Sequence, residues 1–229
     1  MKKTKHECDL KSCILCTTCL EDWLPALAGN RQCYQFNKGE EIFREGEPVN
    51  GIYFVYNGLV KIHKQWGHDR EMIVHFVRKG DILGHRGLGR NGLYPVSATA
   101  LEPVQACFLE MAFFRSTLRV NNEFLFQLMV NCVDELEESE RKMRNLVHLP
   151  VKGRVAQALL SLKEKFGCTE SGHIDVALSR QDLASVAGTT YETAFRILSE
   201  MIQEGTIEMN GKYFTIRDKE KLMSNITSL

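Results

Sequence analysis

Residues 179–209, SRQDLASVAGTTYETAFRILSEMIQEGTIEM, constrain the fold more than any other stretch of this chain. Ser179 is placed to cap a helix, and Asp182 three residues on completes a capping box. Leu183, Ala184 and Ala187 give that helix a small apolar face, and Gly188, lacking a Cβ, permits a sharp exit. Thr189 or Thr190 can cap a second helix, where Ala194, Ile197, Leu198 and Met201 recur at i, i+3, i+4 and i+7 as one buried stripe. The opposite face carries Glu192, Phe195, Arg196 and Ser199. Asn210-Gly211 then marks a two-residue hairpin turn between 206–209 and 212–216. Two short helices with a hairpin directly behind them make a winged helix-turn-helix, whose second helix enters the major groove of DNA.

Periodicity alone fits any buried helical hairpin, so the polar face decides. Glu192 and Arg196, one turn apart, form either a solvated ion pair worth a few tenths of a kcal/mol or a base-reading pair. In the second reading Arg196 is bidentate on guanine and Glu192 accepts from a cytosine amine. Arg180, Thr190, Tyr191, Phe195 and Lys212 complete the expected DNA-contact set. Net charge argues the other way, because residues 151–229 carry ten Lys/Arg against ten Asp/Glu. A DNA binder usually shows a basic footprint. Positive charge is therefore expected to be local, from Arg180, Arg196 and Lys212 with Lys152 and Arg154 as further candidates, and discrimination is expected to rest on base contacts and dimer geometry.

At 229 residues the chain has room for two modest domains. No apolar run approaches the roughly 20 residues that span a bilayer, and MKKTKHECDLKSC lacks the apolar core of a signal peptide. A cytoplasmic protein is expected, with no membrane partner. Residues 1–33 form a cysteine-rich leader holding Cys8, Cys13, Cys16, Cys19 and Cys33, and Cys13 to Cys19 reads C-x2-C-x2-C. That spacing brings thiolates close enough to share a metal or an iron–sulfur cluster. Two other readings stay open: reduced and idle cysteines, or a short helix built on Leu20, Trp23 and Leu27 with a buried thiol or two.

From residue 34 to 110 short β segments alternate with glycine turns, with strands expected at 41–43, 51–56, 59–63, 71–77, 98–100 and 104–109, an antiparallel barrel or sandwich. A short helix and loop are expected over 112–122. Residues 123–149 read as one long helix in which Leu125, Met129, Cys132, Leu136, Ser139, Met143 and Leu146 form a heptad seam for a second copy of the chain. Another amphipathic helix is expected over 151–166, and a short strand over 173–177.

Barrel, long helix and winged helix-turn-helix in this order resemble the bacterial transcription regulators named for the catabolite activator protein and the fumarate–nitrate reduction regulator, the Crp/Fnr superfamily. The motifs that carry the resemblance are Gly39-Glu40 with Phe43, Glu45-Gly46, Tyr53-Phe54-Val55 and Gly58-Leu59-Val60-Lys61. Gly80-Asp81-Ile82-Leu83-Gly84, Asn145-Leu146, Gly153-Arg154-Val155-Ala156 and the Glu192/Arg196 pair continue it. The resemblance implies an α+β fold: an N-terminal antiparallel β-barrel of the cyclic-nucleotide-binding jelly-roll type (34–122), a dimerisation helix (123–149) and a C-terminal winged helix-turn-helix (150–229). It also implies a homodimer on a palindromic double-stranded DNA site, in contact with RNA polymerase. Phe195 departs from the small residue common between the two base readers.

The resemblance places an effector pocket at Gly84, His85, Arg86, Val96, Ser97 and Ser139. Cyclic-AMP-binding members carry a Glu and an Arg where this chain has His85 and Val96, and no arginine occurs between Arg90 and Arg115. A buried cyclic phosphate lacking a bidentate cation loses its strongest contact, which argues against cyclic AMP. Iron–sulfur members pair an N-terminal cysteine cluster with one barrel cysteine, whose position Cys107 matches, so Cys13, Cys16, Cys19 and Cys107 are the candidate metal ligands. The N-terminal spacing departs from the family's pattern. The expectation is a DNA-binding regulator that senses a redox, gas or small-molecule signal and is not an enzyme. The alternative is a cyclic-nucleotide-regulated protein-interaction module without specific DNA binding.

Overall fold

The computed structural model describes residues 2–4, 11–67 and 70–227. The chain divides into two compact units, residues 1–64 with 74–137, and residues 65–73 with 138–229. The division falls inside the long helix, between Glu137 and Glu138.

The chain up to Glu110 is built on two antiparallel sheets. One contains β1 (Lys2–Thr4), β2 (Gln32–Phe36), β4 (Gly51–Asn57), β7 (Ile82–Leu83) and β9 (Val104–Glu110) in the order β1-β2-β9-β4-β7; the other contains β3 (Glu41–Phe43), β5 (Val60–Trp66), β6 (Arg70–Val77) and β8 (Ser97–Ala100) in the order β3-β8-β5-β6. Side chains alternate faces along a strand, and the alternation sorts the core. Tyr53 and Val55 of β4, with Val104, Ala106 and Phe108 of β9, join Phe36, Val60, Ile62 and Ala98 between the sheets. Ile52 and Phe54, with Cys107 and Leu109, point to the other face of the five-stranded sheet. There they meet helices α1 (Ile14–Thr18), α2 (Leu24–Asn30), α3 (Met111–Val120) and the start of α4 (Asn122–His148). Phe114 and Phe124 are fully buried in that second layer, each such side chain contributing about 1.5–3 kcal/mol.

The leader is therefore structural. Leu27 is buried, while Leu20 remains exposed. The Trp23 ring stacks on Phe113 and its indole N–H donates to Thr117 Oγ1 at 3.2 Å. Cys8 lies outside the described residues. Strands β1, β2 and β7, absent from the sequence reading, complete the sheet; β2 starts inside the stretch read as leader.

In the second unit α5 (Val151–Phe166) packs against α6 (Arg180–Val186), α7 (Tyr191–Gln203) and α8 (Lys219–Thr227). Gly153 is required where α5 meets α8, because a Cβ there would lie 2.6 Å from the Asn225 carbonyl oxygen. Strands β10 (Ile207–Asn210) and β11 (Tyr213–Ile216) form the hairpin around Asn210-Gly211. The strand expected over 173–177 does not form. The Ile174 and Leu178 amides donate to the Phe214 and Lys212 carbonyls, but the Val176 amide turns back to the Ile174 carbonyl at 2.7 Å. That tight turn breaks the extended backbone a ladder needs.

Candidate nucleic-acid interface and effector pocket

The two helices of the reader are set by their caps. Ser179 Oγ accepts from the Asp182 amide at 3.0 Å while Asp182 Oδ2 accepts from the Ser179 amide at 3.2 Å. Thr190, not Thr189, caps α7 by accepting from the Thr193 amide. Between them Gly188 adopts φ +61, and a Cβ there would sit 2.6 Å from Leu146 Cδ2. Ala194, Ile197, Leu198 and Met201 are all buried, as the stripe requires.

This leaves Tyr191, Glu192, Phe195 and Arg196 exposed on one face of α7. The Tyr191 and Phe195 rings stack at 6.2 Å, and the Arg180 guanidinium lies 5.4 Å from the Phe195 ring centre. Lys212 is exposed beside the hairpin turn. Arg196 donates to Glu200 Oε1 at 2.6 Å, one turn onward, rather than to Glu192 one turn back. Arg196 is well exposed, so this bond is worth only a few tenths of a kcal/mol and does not hold the guanidinium back from a base edge.

Two cations considered for the DNA face are engaged within the fold. Lys152 bridges Glu204 at 2.7 Å, which holds that carboxyl below its ordinary range. Arg154 is a structural clamp: Nε donates to Ala187 O at 3.0 Å, Nη2 to Gly188 O at 3.3 Å, and Nη1 to Leu146 O and Leu149 O at 3.3 and 3.4 Å. One guanidinium thus ties the turn of the reader to the end of α4. Sequence inspection offers no signal for this beyond the Gly153-Arg154 motif.

In the first unit, Gly84 at φ +87 opens a 3-10 turn over His85–Leu88 that forms one wall of a cavity. Gly84, His85, Arg86 and Val96 line it, together with Phe43 and Tyr94, whose rings stack at 3.9 Å. Ser97 is instead buried in β8 and accepts from the Glu45 amide at 3.0 Å. Ser139 belongs to the second unit. The cavity holds about 10 Å³, room for a single water.

Its polar groups converge on a carboxylate missed from sequence, Glu135 of α4. Arg86 Nε donates to Glu135 Oε2 at 2.8 Å, His85 Nε2 lies 3.1 Å from Oε1, and His75 Nε2 lies 4.0 Å from the same oxygen. Burial acts most strongly on Glu135 and raises its pKa. Hydrogen bonding and charge from His85, the charge of His75 and the Arg86 hydrogen bond together outweigh it and hold the carboxyl at about 2. His85 is almost fully buried, and its Nδ1 has no hydrogen-bond partner among the described residues.

A cyclic nucleotide-binding domain matches residues 34–121, and a Crp-like helix-turn-helix domain matches residues 153–224. The chain belongs to the Crp/Fnr family of bacterial transcription regulators. It is 29% identical over 201 residues to the CRP-like cAMP-activated global transcriptional regulator of Mycobacterium tuberculosis, covering 87% of this chain and 90% of that one. Its fold is that of FixK2 from Bradyrhizobium japonicum (TM-score 0.74, 24% identity, 85% and 96% of the two chains). The same holds for the c-di-GMP responsive global regulator CLP of Xanthomonas campestris (TM-score 0.76, 21% identity, 85% and 98%). Proteins named for two different nucleotides, cyclic AMP and c-di-GMP, are thus among those this chain resembles.

The metal ligand set suggested by cysteine spacing is not assembled. Cys13, Cys16, Cys19, Cys33 and Cys107 all pack into or against the second core layer, yet among the described residues no group of three or more His, Cys, Asp or Glu side chains is arranged to hold a metal ion. Cys13 caps α1, its sulfur accepting from the Cys16 amide at 3.5 Å. Burial first, and the neighbouring Cys13 second, push the Cys19 thiol up to about 12. The sulfur of Cys107 lies 3.9 Å from that of Cys33, a residue the spacing argument left out.

Proposed function

We propose that this regulator acts as a homodimer joined along α4 and reads a palindromic double-stranded DNA site with two copies of α7. The observation that carries the reading is the uncovered apolar row on α4. Phe124 and Leu128 bury one face of this 27-residue helix against the sheet. Leu125, Met129, Leu136, Met143 and Leu146, at heptad spacing, stay exposed, Leu136 at 58% and Met143 at 61%. A contiguous apolar stripe of this kind marks an interaction surface, and an alternating three–four spacing suits a second helix of the same kind. Cys132 is exposed in the same row and Ser139 half-buried.

Arg196 and Glu192 are the base readers in this proposal, with Arg180, Thr190, Tyr191, Phe195 and Lys212 around them. The regulator works in the cytoplasm, engages RNA polymerase at its promoters and has no catalytic role. Its effector is a redox, gas or small-molecule signal other than cyclic AMP. Supporting this, Val96 lines the cavity where a phosphate-binding arginine is expected, and Arg86 is already paired with Glu135, which also lies 3.1 Å from His85 Nε2.

Selection of a preferred duplex from a random pool, then titration by fluorescence anisotropy, tests the reading. Arg196→Ala and Glu192→Ala should each weaken the selected duplex by about 5- to 150-fold, the range of one base contact, with little change on random DNA. Undiminished binding by both variants would favour the protein-interaction alternative instead.

A further inference from the structure

We propose that Cys33 and Cys107 are an oxidative modification site: a cross-strand dithiol that closes to an intramolecular disulfide under a peroxide. The two residues are direct partners in the antiparallel pairing of β2 with β9. Directly opposed residues in such a ladder have Cα atoms about 4.5–5.5 Å apart, inside the range of about 4.4–6.8 Å that a disulfide spans. The sulfurs are already 3.9 Å apart, so bond formation needs side-chain rotation and about 2 Å of sulfur movement, with the strand register unchanged.

Exposure assigns the order of events. Cys33 is half-buried and Cys107 buried. Cys107 is set on a strand paired on its other side with β4, where its partner is Phe54. A peroxide therefore meets Cys33 first. The Cys33 thiolate attacks the peroxide oxygen, the O–O bond breaks, and Cys33 becomes a sulfenic acid with hydroxide leaving as water. The Cys107 sulfur, losing its proton, then attacks the Cys33 sulfur, and the S–O bond breaks with release of a second water. Two thiols and one hydrogen peroxide give one disulfide and two waters.

The proposal stands apart from the DNA-reading assignment, because it concerns thiol chemistry within one sheet. It links the chain segment that follows α2 to β9 across the loop from residue 33 to 107. It also removes Cys107 from any other chemistry while the bond persists.

The test uses the full chain, purified under reductant, exchanged into reductant-free buffer and treated with a few equivalents of hydrogen peroxide. Remaining thiols are blocked with N-ethylmaleimide before non-reducing proteolysis and mass spectrometry. The expected result is one dominant cross-linked pair joining the peptides of Cys33 and Cys107, separated again by dithiothreitol. Cys33→Ser should abolish that pair, and alkylation of Cys107 should reappear. Recovery of both residues as alkylated or over-oxidised thiols, or Cys107 joined mainly to another cysteine, overturns the proposal. If the serine variant fails to fold, the wild-type peptide map decides by itself.

Discussion

Glu135 makes the most quantitative prediction. Its carboxyl is held at about 2 against an ordinary 4.5, which at about 1.4 kcal/mol per pH unit amounts to about 3 kcal/mol of stability. Because the folded value lies below the unfolded one, this contribution is complete above about pH 4.5 and is lost as pH falls towards 2. Between pH 5.5 and pH 3.0 the linkage relation gives a loss of about 2 kcal/mol. Glu135→Gln keeps the size and an acceptor but does not titrate. Urea unfolding of both proteins at fixed chain concentration, followed by the fluorescence of Trp23 in the first unit, should show the wild type's advantage shrinking by about that amount across the window. A gap that stays constant with pH would mean that the His75–His85–Arg86 cage does not hold a charged Glu135.

Leu136→Glu places a charge in the exposed seam and should convert a dimer of 26.1 kDa chains to monomer, read by light scattering during gel filtration. Gly188→Ala puts a side chain on a left-handed backbone, at a cost of about 1–2 kcal/mol, and crowds Leu146. The melting temperature should drop by a few degrees, and specific DNA binding should weaken. Arg154→Ala removes hydrogen bonds to four carbonyls, some of them solvent-exposed, for a combined loss of about 2–4 kcal/mol. Hydrogen exchange should then quicken at the Thr189 amide, and Arg154→Lys should not restore protection because a point charge lacks the planar fork.

The reader was legible because its signals are local. Ser179 to Asp182, the stripe from Ala194 to Met201 and the Asn210-Gly211 turn each lie within one turn or one hairpin of themselves. The same locality left the partner of Arg196 open, since a carboxylate sits four residues away on either side and the period fits both. Long-range contacts stayed hidden. Glu135 lies in DELEESERKMR, a run that reads as a solvated face, and only its packing against the turn at His85 shows otherwise. Cys33 belonged by spacing to a leader, and its pairing with Cys107, 74 positions away, is a property of the sheet. Strand β7 has only two residues, too short to show a period. Over 173–177, where a short strand is expected, the turn at Val176 overrides it.

The Arg154 clamp has a mechanical consequence. Because its guanidinium bonds both to the carbonyls of Ala187 and Gly188 and to those of Leu146 and Leu149, the reader's turn travels with the end of α4. The joint acts as a pin rather than a tether, so any displacement of the last turn of α4 is handed directly to the turn that precedes α7.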